Sequence, residues 1–148
     1  MAFGFRTMIE LFYETDFEIS NEKLWLDWII ESMENEGKSI EDLNYIFCDD
    51  DYLLEINKQY LDHDYYTDVI GFDNSQEDIL TGDIFISITR IADNANLNNV
   101  KFDNELARVM IHGILHFAGY KDKEEIEKDK MTEMENYYLA RFGHLNQI

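Results

Sequence analysis

Residues 103–118, "DNELARVMIHGILHFA", restrict the possible folds of this chain more than any other stretch. At about 100° per residue, Leu106, Met110, Gly113 and Phe117 fall on one line of a helix. Ala107, Ile111, Ile114 and Ala118 widen that apolar face past a third of the circumference. Polar side chains are confined to one stripe, made of Glu105, Arg108, His112 and His116. A helix this apolar belongs at the centre of a fold, with other elements packed around it. Its stripe must then meet a cleft, a metal or a buried network, because an unpaired polar group inside a protein is costly.

The rest of the chain supplies the packing partners. "MIELFYET" reads as a first strand. Ser20 is placed to cap a helix running to about Asn35, with Leu24, Trp28 and Ile29 on its buried side. "LNYIFCD" reads as a second strand, followed by Asp49 or Asp50 capping a helix through "YLLEINKQYL". A polar turn, "DHDYYT", leads to a short strand "DVIGF". In the strand "TGDIFISI", Ile84, Ile86 and Ile88 alternate against Phe85. "TRIADNANL" and the segment from Lys123 to about Phe142 read as further helices. Strands gather early and helices late, about four and five in number. The expected class is α+β, a single domain over 1–148 with helices on a small mixed sheet. At 148 residues the chain can bury such a core without staples.

Composition narrows the setting. The start "MAFGFRTMIELFYE" is too short in its apolar run for a signal peptide, and no stretch approaches the ~20 apolar residues of a membrane span. Cys48 is the only cysteine, which leaves no internal disulfide, no thiolate metal cluster, and a residue suited to a reducing cytoplasm. Flanked by "YIF", it reads as a small buried apolar group. The net charge of −20 repels polyanions at long range. It is unevenly spread: residues 90–130 hold seven basic residues against eight acids, near −1. One part of the surface can therefore meet a polyanion while the remainder serves solubility.

The chemistry sits in "HGILHFAGYKDK", residues 112–123. His112 and His116 lie one turn apart on the polar stripe, so their rings can converge on one ion. Gly119 is where a left-handed residue would end the helix and turn the chain back, bringing Asp122 towards the same ion. The competing role for Asp122 is a cap for the following helix. Three protein ligands with an open fourth position is the arrangement of a catalytic rather than a structural zinc. His63 and His144 lie in polar contexts and read as exposed residues outside the ligand set.

The same string resembles the signature of the YbeY family of bacterial endoribonucleases, the rRNA maturation factors, which runs His-Gly-x-Leu-His-x-x-Gly-Tyr-Asp-His. Upstream, "INKQYLDHDYYTDVIGFD" (56–73) is similar to that family's Leu-Asn-x-x-Tyr-Arg-x-x-Asp-x-x-Thr-Asp-Val-Leu-Ser-Phe block, and "TGDIFIS" (81–87) to its Leu-Gly-Asp-Ile-x-Ile strand. The resemblance implies an α+β domain and a metal held by His112, His116 and Asp122. It also implies single-strand-specific RNA cleavage in rRNA maturation, including 16S rRNA 3′ end processing, and in ribosome quality control. The implied partners are rRNA and ribosomal particles or ribosomal proteins, with no membrane.

The chain departs from the family pattern at two places. Position 122 is Asp where the family usually has histidine, with Lys121 where it usually has Asp. A carboxylate oxygen binds Zn²⁺ at nearly the imidazole distance, so one Zn²⁺ per chain is expected, while the added charge could favour a harder metal. Leu61 stands where the family commonly has arginine, a residue suited to gripping phosphate. Arg108, Arg90 or Lys121 could substitute, and Arg108 and Lys121 are the expected substrate contacts. For Arg108, pairing with Glu105 or another acid is an equally good reading.

Gly113 bears on the reaction. Zinc peptidases with these ligand offsets carry a glutamate beside the first histidine to move a proton to the leaving amine. A glycine cannot do so. A phosphodiester asks less, since an ion can lower the pKa of its water, neutralise a non-bridging oxygen, and leave the RNA 2′-OH to attack. Beyond that metal-bound water no catalytic group is assigned, although Asp68 or Asp83 could supply a base. The expected activity is therefore a zinc-dependent endoribonuclease. A metzincin-like peptidase and a non-enzymatic ribosome-associated protein are the alternatives.

Overall fold

A computed structural model describes residues 7–147; residues 1–6, on which part of the signal-peptide expectation falls, lie outside the described residues. Among the described residues, five α-helices cover a four-stranded sheet in the order β1-β2-β4-β3. The strands are β1 (Met8–Tyr13), β2 (Ser39–Cys48), β3 (Val69–Asp73) and β4 (Ile79–Ser87). The helices are α1 (Glu22–Asn35), α2 (Asp50–Leu61), α3 (Ile88–Leu97), α4 (Phe102–Phe117) and α5 (Glu125–Ala140). A 3-10 turn, Gly143–Gln147, follows. Strands β1, β2 and β4 run parallel, and β3 closes one edge antiparallel to β4. The sheet is mixed, as the α+β reading requires.

Alternation in the two inner strands divides the interior. Leu43, Tyr45 and Phe47 of β2, with Leu80, Ile84 and Ile86 of β4, face a large core shared with α1, α4 and α5. Cys48, Ile70 and Leu53 form a smaller cluster under α2 on the other face, with Phe72 and Phe85 packed against it. Cys48 is fully buried there, and burial first, with nearby carboxylates, pushes its thiol up to about 12. It is the inert apolar residue that its neighbours in sequence suggest.

Three local expectations shift. Helix α1 begins after Asn21 rather than Ser20, without a side-chain cap. Its buried line is Trp25, Trp28, Ile29, Ser32 and Met33, whereas Leu24 is exposed. The i, i+3, i+4, i+7 spacing starting at Trp25 selects that face, and Leu24 falls one residue outside it. Ile88 does not continue β4, because Ser87 leaves the strand and caps α3, its Oγ accepting from the Arg90 backbone N–H at 3.1 Å. Asp49 is the residue that caps α2, through Tyr52 N–H at 2.8 Å.

Helix α4 is buried along Leu106, Ala107, Met110, Ile111, Gly113, Ile114 and Phe117. Close approach to the sheet requires small residues. A Cβ built on Gly113 would stand 3.1 Å from Ile84 Cγ2, and one on Gly82 would stand 2.9 Å from the Phe117 ring. The end of α4 thus settles onto β4 and β3, which brings its polar stripe to the sheet edge. At Gly119, with φ +110°, the chain turns, and the Tyr120 N–H returns to the Leu115 carbonyl at 3.0 Å.

Candidate metal centre

The turn at Gly119 carries Asp122 back onto the stripe. His112 Nε2 and His116 Nε2 stand 3.1 Å apart, and Asp122 Oδ2 lies 3.2 Å from the first and 3.1 Å from the second. The three donors form a nearly equilateral triangle. A tetrahedral ion with bonds of about 2.0–2.1 Å has donor–donor edges of roughly 3.3 Å, so the spacing fits within a few tenths. Asp122 is not a cap: Glu124 occupies that place in α5, in a reciprocal capping box with Glu127.

Outer partners decide what faces inward. His112 Nδ1 is 2.6 Å from Glu135 Oε2, and His116 Nδ1 is 2.9 Å from the Tyr120 carbonyl oxygen. Both partners accept hydrogen bonds, so each ring carries its proton on Nδ1 and points a bare Nε2 lone pair at the other. With the Asp122 carboxylate, three lone pairs converge with no hydrogen among them unless one ring takes a second proton. A cation is the natural occupant, and this group could hold a metal ion. Burial pulls the His112 pKa down, but the Glu135 hydrogen bond and charge, with Asp122 and Asp68, reverse this and raise it above the ordinary histidine value.

Glu135 is the residue that the sequence reading missed. Met131, Glu135, Tyr138 and Leu139 form the buried face of α5, so an acid at a core position was the available signal. Its other oxygen, Oε1, accepts from Arg108 Nη1 at 2.7 Å, and Arg108 Nη2 donates to Asn136 at 2.7 Å. Arg108 is thus paired, with Glu135 and not with Glu105. Lys121 is exposed beside His116 and Asp122.

The remaining candidates separate clearly. Asp68 lines the cleft over the histidines; burial raises its pKa, partly offset by backbone N–H groups at 68–69 and by His112 and Arg90. Asp83 accepts from Asn44 at 2.9 Å and does not line that cleft. Arg90 is bound to Asp50 at 2.9 Å. His63 stands on the cleft wall, bonded to the Tyr65 hydroxyl and outside the triangle. His144, expected to be exposed, is instead half-buried against Trp25 and Phe142 and bonded to Asp103 at 2.8 Å. The cleft encloses about 560 Å³, with Leu61, His63 and Tyr65 on the wall opposite α4. No helix among the described residues is long and apolar enough to cross a membrane.

Comparison with known proteins agrees with this geometry. The family model described as Endoribonuclease YbeY matches residues 12–143. An "Endoribonuclease YbeY" of Christiangramia forsetii is 50% identical over 139 residues, 94% of this chain and 96% of its own length. One from Flavobacterium psychrophilum is 51% identical over 95% of this chain and 99% of its own. The solution structure of a Thermotoga maritima protein superposes with a TM-score of 0.66 at 30% identity, covering 91% of this chain and 89% of that one. The chain belongs to the YbeY endoribonuclease family.

Proposed function

We propose that residues 1–148 act as one metal-dependent endoribonuclease domain that cuts single-stranded RNA with a Zn²⁺ held by His112, His116 and Asp122. The supporting observation is the convergence of two bare Nε2 lone pairs, each ring fixed from behind at Nδ1, with the Asp122 carboxylate. A divalent ion bound there supplies charge stabilisation at a phosphate oxygen and lowers the pKa of water towards neutrality. Around it, Glu135 holds the His112 ring at Nδ1, and the Tyr120 carbonyl holds His116. Asp68, whose raised pKa suits it to carry a proton, faces the same cleft and is the better of the two carboxylates considered for that work. Gly113 packs against Ile84, so a peptidase-type glutamate beside His112 would crowd that side chain.

In this reading Lys121 meets a substrate phosphate at the mouth of the site. Arg108 contributes only the part of its guanidinium left open by Glu135 and Asn136. The biological substrate is rRNA, at the 16S 3′ end and in ribosome quality control, in the cytoplasm and in contact with ribosomal particles. The family name supports the RNA substrate. Metal analysis of the purified protein with a cleavage assay on the same sample tests it. One zinc per chain and chelator-sensitive cutting of single-stranded RNA, with casein left intact, are expected. Casein cleavage that tracks His112, with RNA spared, would establish the peptidase instead.

A further inference from the structure

Among the described residues the cleft lining carries no lysine or arginine, although it holds three carboxylates, Asp68, Asp73 and Asp122. Past Lys121 at the mouth, an RNA strand inside the cleft meets no lysine or arginine and only a bound metal as positive charge, in a molecule of net charge −20. Phosphate attraction is therefore a poor source of affinity along this groove. Its wall offers something else. The rings of His63 and Tyr65 stack with centroids 5.0 Å apart and planes 21° from parallel, and the Tyr65 hydroxyl meets His63 Nδ1 at 2.9 Å. Tyr65 is 56% exposed, and neither hydrophobic cluster includes it.

This pair is held in place from below. Asn57, 2% exposed in α2, donates its side-chain Nδ2–H to the Tyr65 carbonyl at 2.8 Å, and its backbone carbonyl accepts from His63 N–H at 3.1 Å as the helix ends. Asp62, with φ 56°, makes the left-handed turn that lifts the segment off the end of α2. A buried asparagine side chain on Tyr65, with the helix-end backbone bond to His63, fixes a platform before any ligand arrives, which lowers the ordering cost of binding. The neighbouring tyrosines are differently engaged: Tyr60 packs edge-on against Phe72, and Tyr66 bonds Asp51 beneath Arg90.

We propose that the His63–Tyr65 pair is a nucleobase-stacking subsite, on which a base of the single strand lies flat while its neighbouring phosphate reaches the His112–His116–Asp122 group. The proposal rests on the endoribonuclease reading above and names the part of the RNA that the cleft recognises. Every base has a π-face, so such a subsite tolerates sequence while requiring an unpaired strand. Stacking on a single aromatic ring changes affinity by about tenfold or more.

The test uses metal-loaded protein with an end-labelled 2′-O-methyl oligoribonucleotide for binding, and the matching unmodified RNA for cleavage. Tyr65→Leu should weaken binding about tenfold and place the loss in KM rather than kcat, whereas Tyr65→Phe, which keeps the ring, should stay within about twofold. The slope of binding against salt should not change, since no cation is removed. An oligonucleotide with abasic positions should bind the parent protein as weakly as the intact one binds Tyr65→Leu. His63→Ala, with thermal unfolding as the fold control, supplies a second variant if Tyr65→Leu is misfolded. Unchanged binding in a folded variant, or equal binding of abasic and intact strands, overturns the subsite and leaves the nuclease reading standing. A parent protein that binds the bases but does not cut RNA would instead overturn the nuclease reading.

Discussion

The two walls of the cleft are built on opposite plans. On the α4 wall both histidines have a partner behind them, and one of those partners has its own: Glu135 behind His112, the Tyr120 carbonyl behind His116, Arg108 behind Glu135. On the facing rim, Leu61 and Tyr65 are exposed, and the Asn57 side chain and backbone carbonyl tie the loop down. Ion coordination demands donor positions fixed within tenths of an ångström, so it draws on a buried helix and its packing. Recognition of a flexible strand demands accessible surface, so it draws on a loop.

Substitutions on the first wall should therefore be far more damaging. His112→Ala or His116→Ala should abolish metal binding and RNA cleavage together, measured by metal content and gel assay, while Asp122→His keeps both. Metal retention by Asp122→Ala at parent affinity would show that two histidines suffice. Gly113→Glu should cost more than about 3 kcal/mol and leave little folded protein, because it forces a charge into the space filled by Ile84; thermal unfolding reads this directly.

Glu135→Gln sharpens the contrast, since the change lies outside the ligand triangle. It should lower metal affinity by about 10–100-fold in competition with a chelator. An unchanged affinity would mean that packing alone orients His112. On the exposed side of the same end, Lys121→Ala should raise KM only a few-fold and reduce the salt slope by about one.

The smallest expected effect is a pH dependence of the metal-free protein. The His112 pKa is raised on folding, with burial opposing and Glu135 prevailing. Its contribution to stability is then complete below the unfolded value of about 6.5 and is lost as pH rises through the higher folded value. Metal binding has the opposite sign over that window, since the ligand must lose its second proton. Unfolding scans with chelator and with metal should diverge as pH increases. Parallel curves would separate His112 from the site.

The α4 stripe, the histidine pair and the turn at Gly119 were legible in the sequence, because each depends on helical spacing and local backbone preference within a few residues. So were the four strands, the five helices and the buried state of Cys48, which follow from alternation and apolar context. The buried face of α1 is not legible there, because the choice between Leu24 and Trp25 depends on which helix face meets the sheet. Glu135 lies 23 residues from His112, and Asn57 lies 8 from Tyr65, each joined by a contact with no sequence periodicity. Sequence alone thus determined which groups could do chemistry and in what order they lie along the chain. The tertiary structure alone decided which nitrogen of each histidine faces inward, that Arg108 pairs with Glu135, and that Asp68 rather than Asp83 lines the cleft. Those choices are made by buried polar groups seeking partners across elements, and such pairings exist only once α4, α5 and the sheet are packed together.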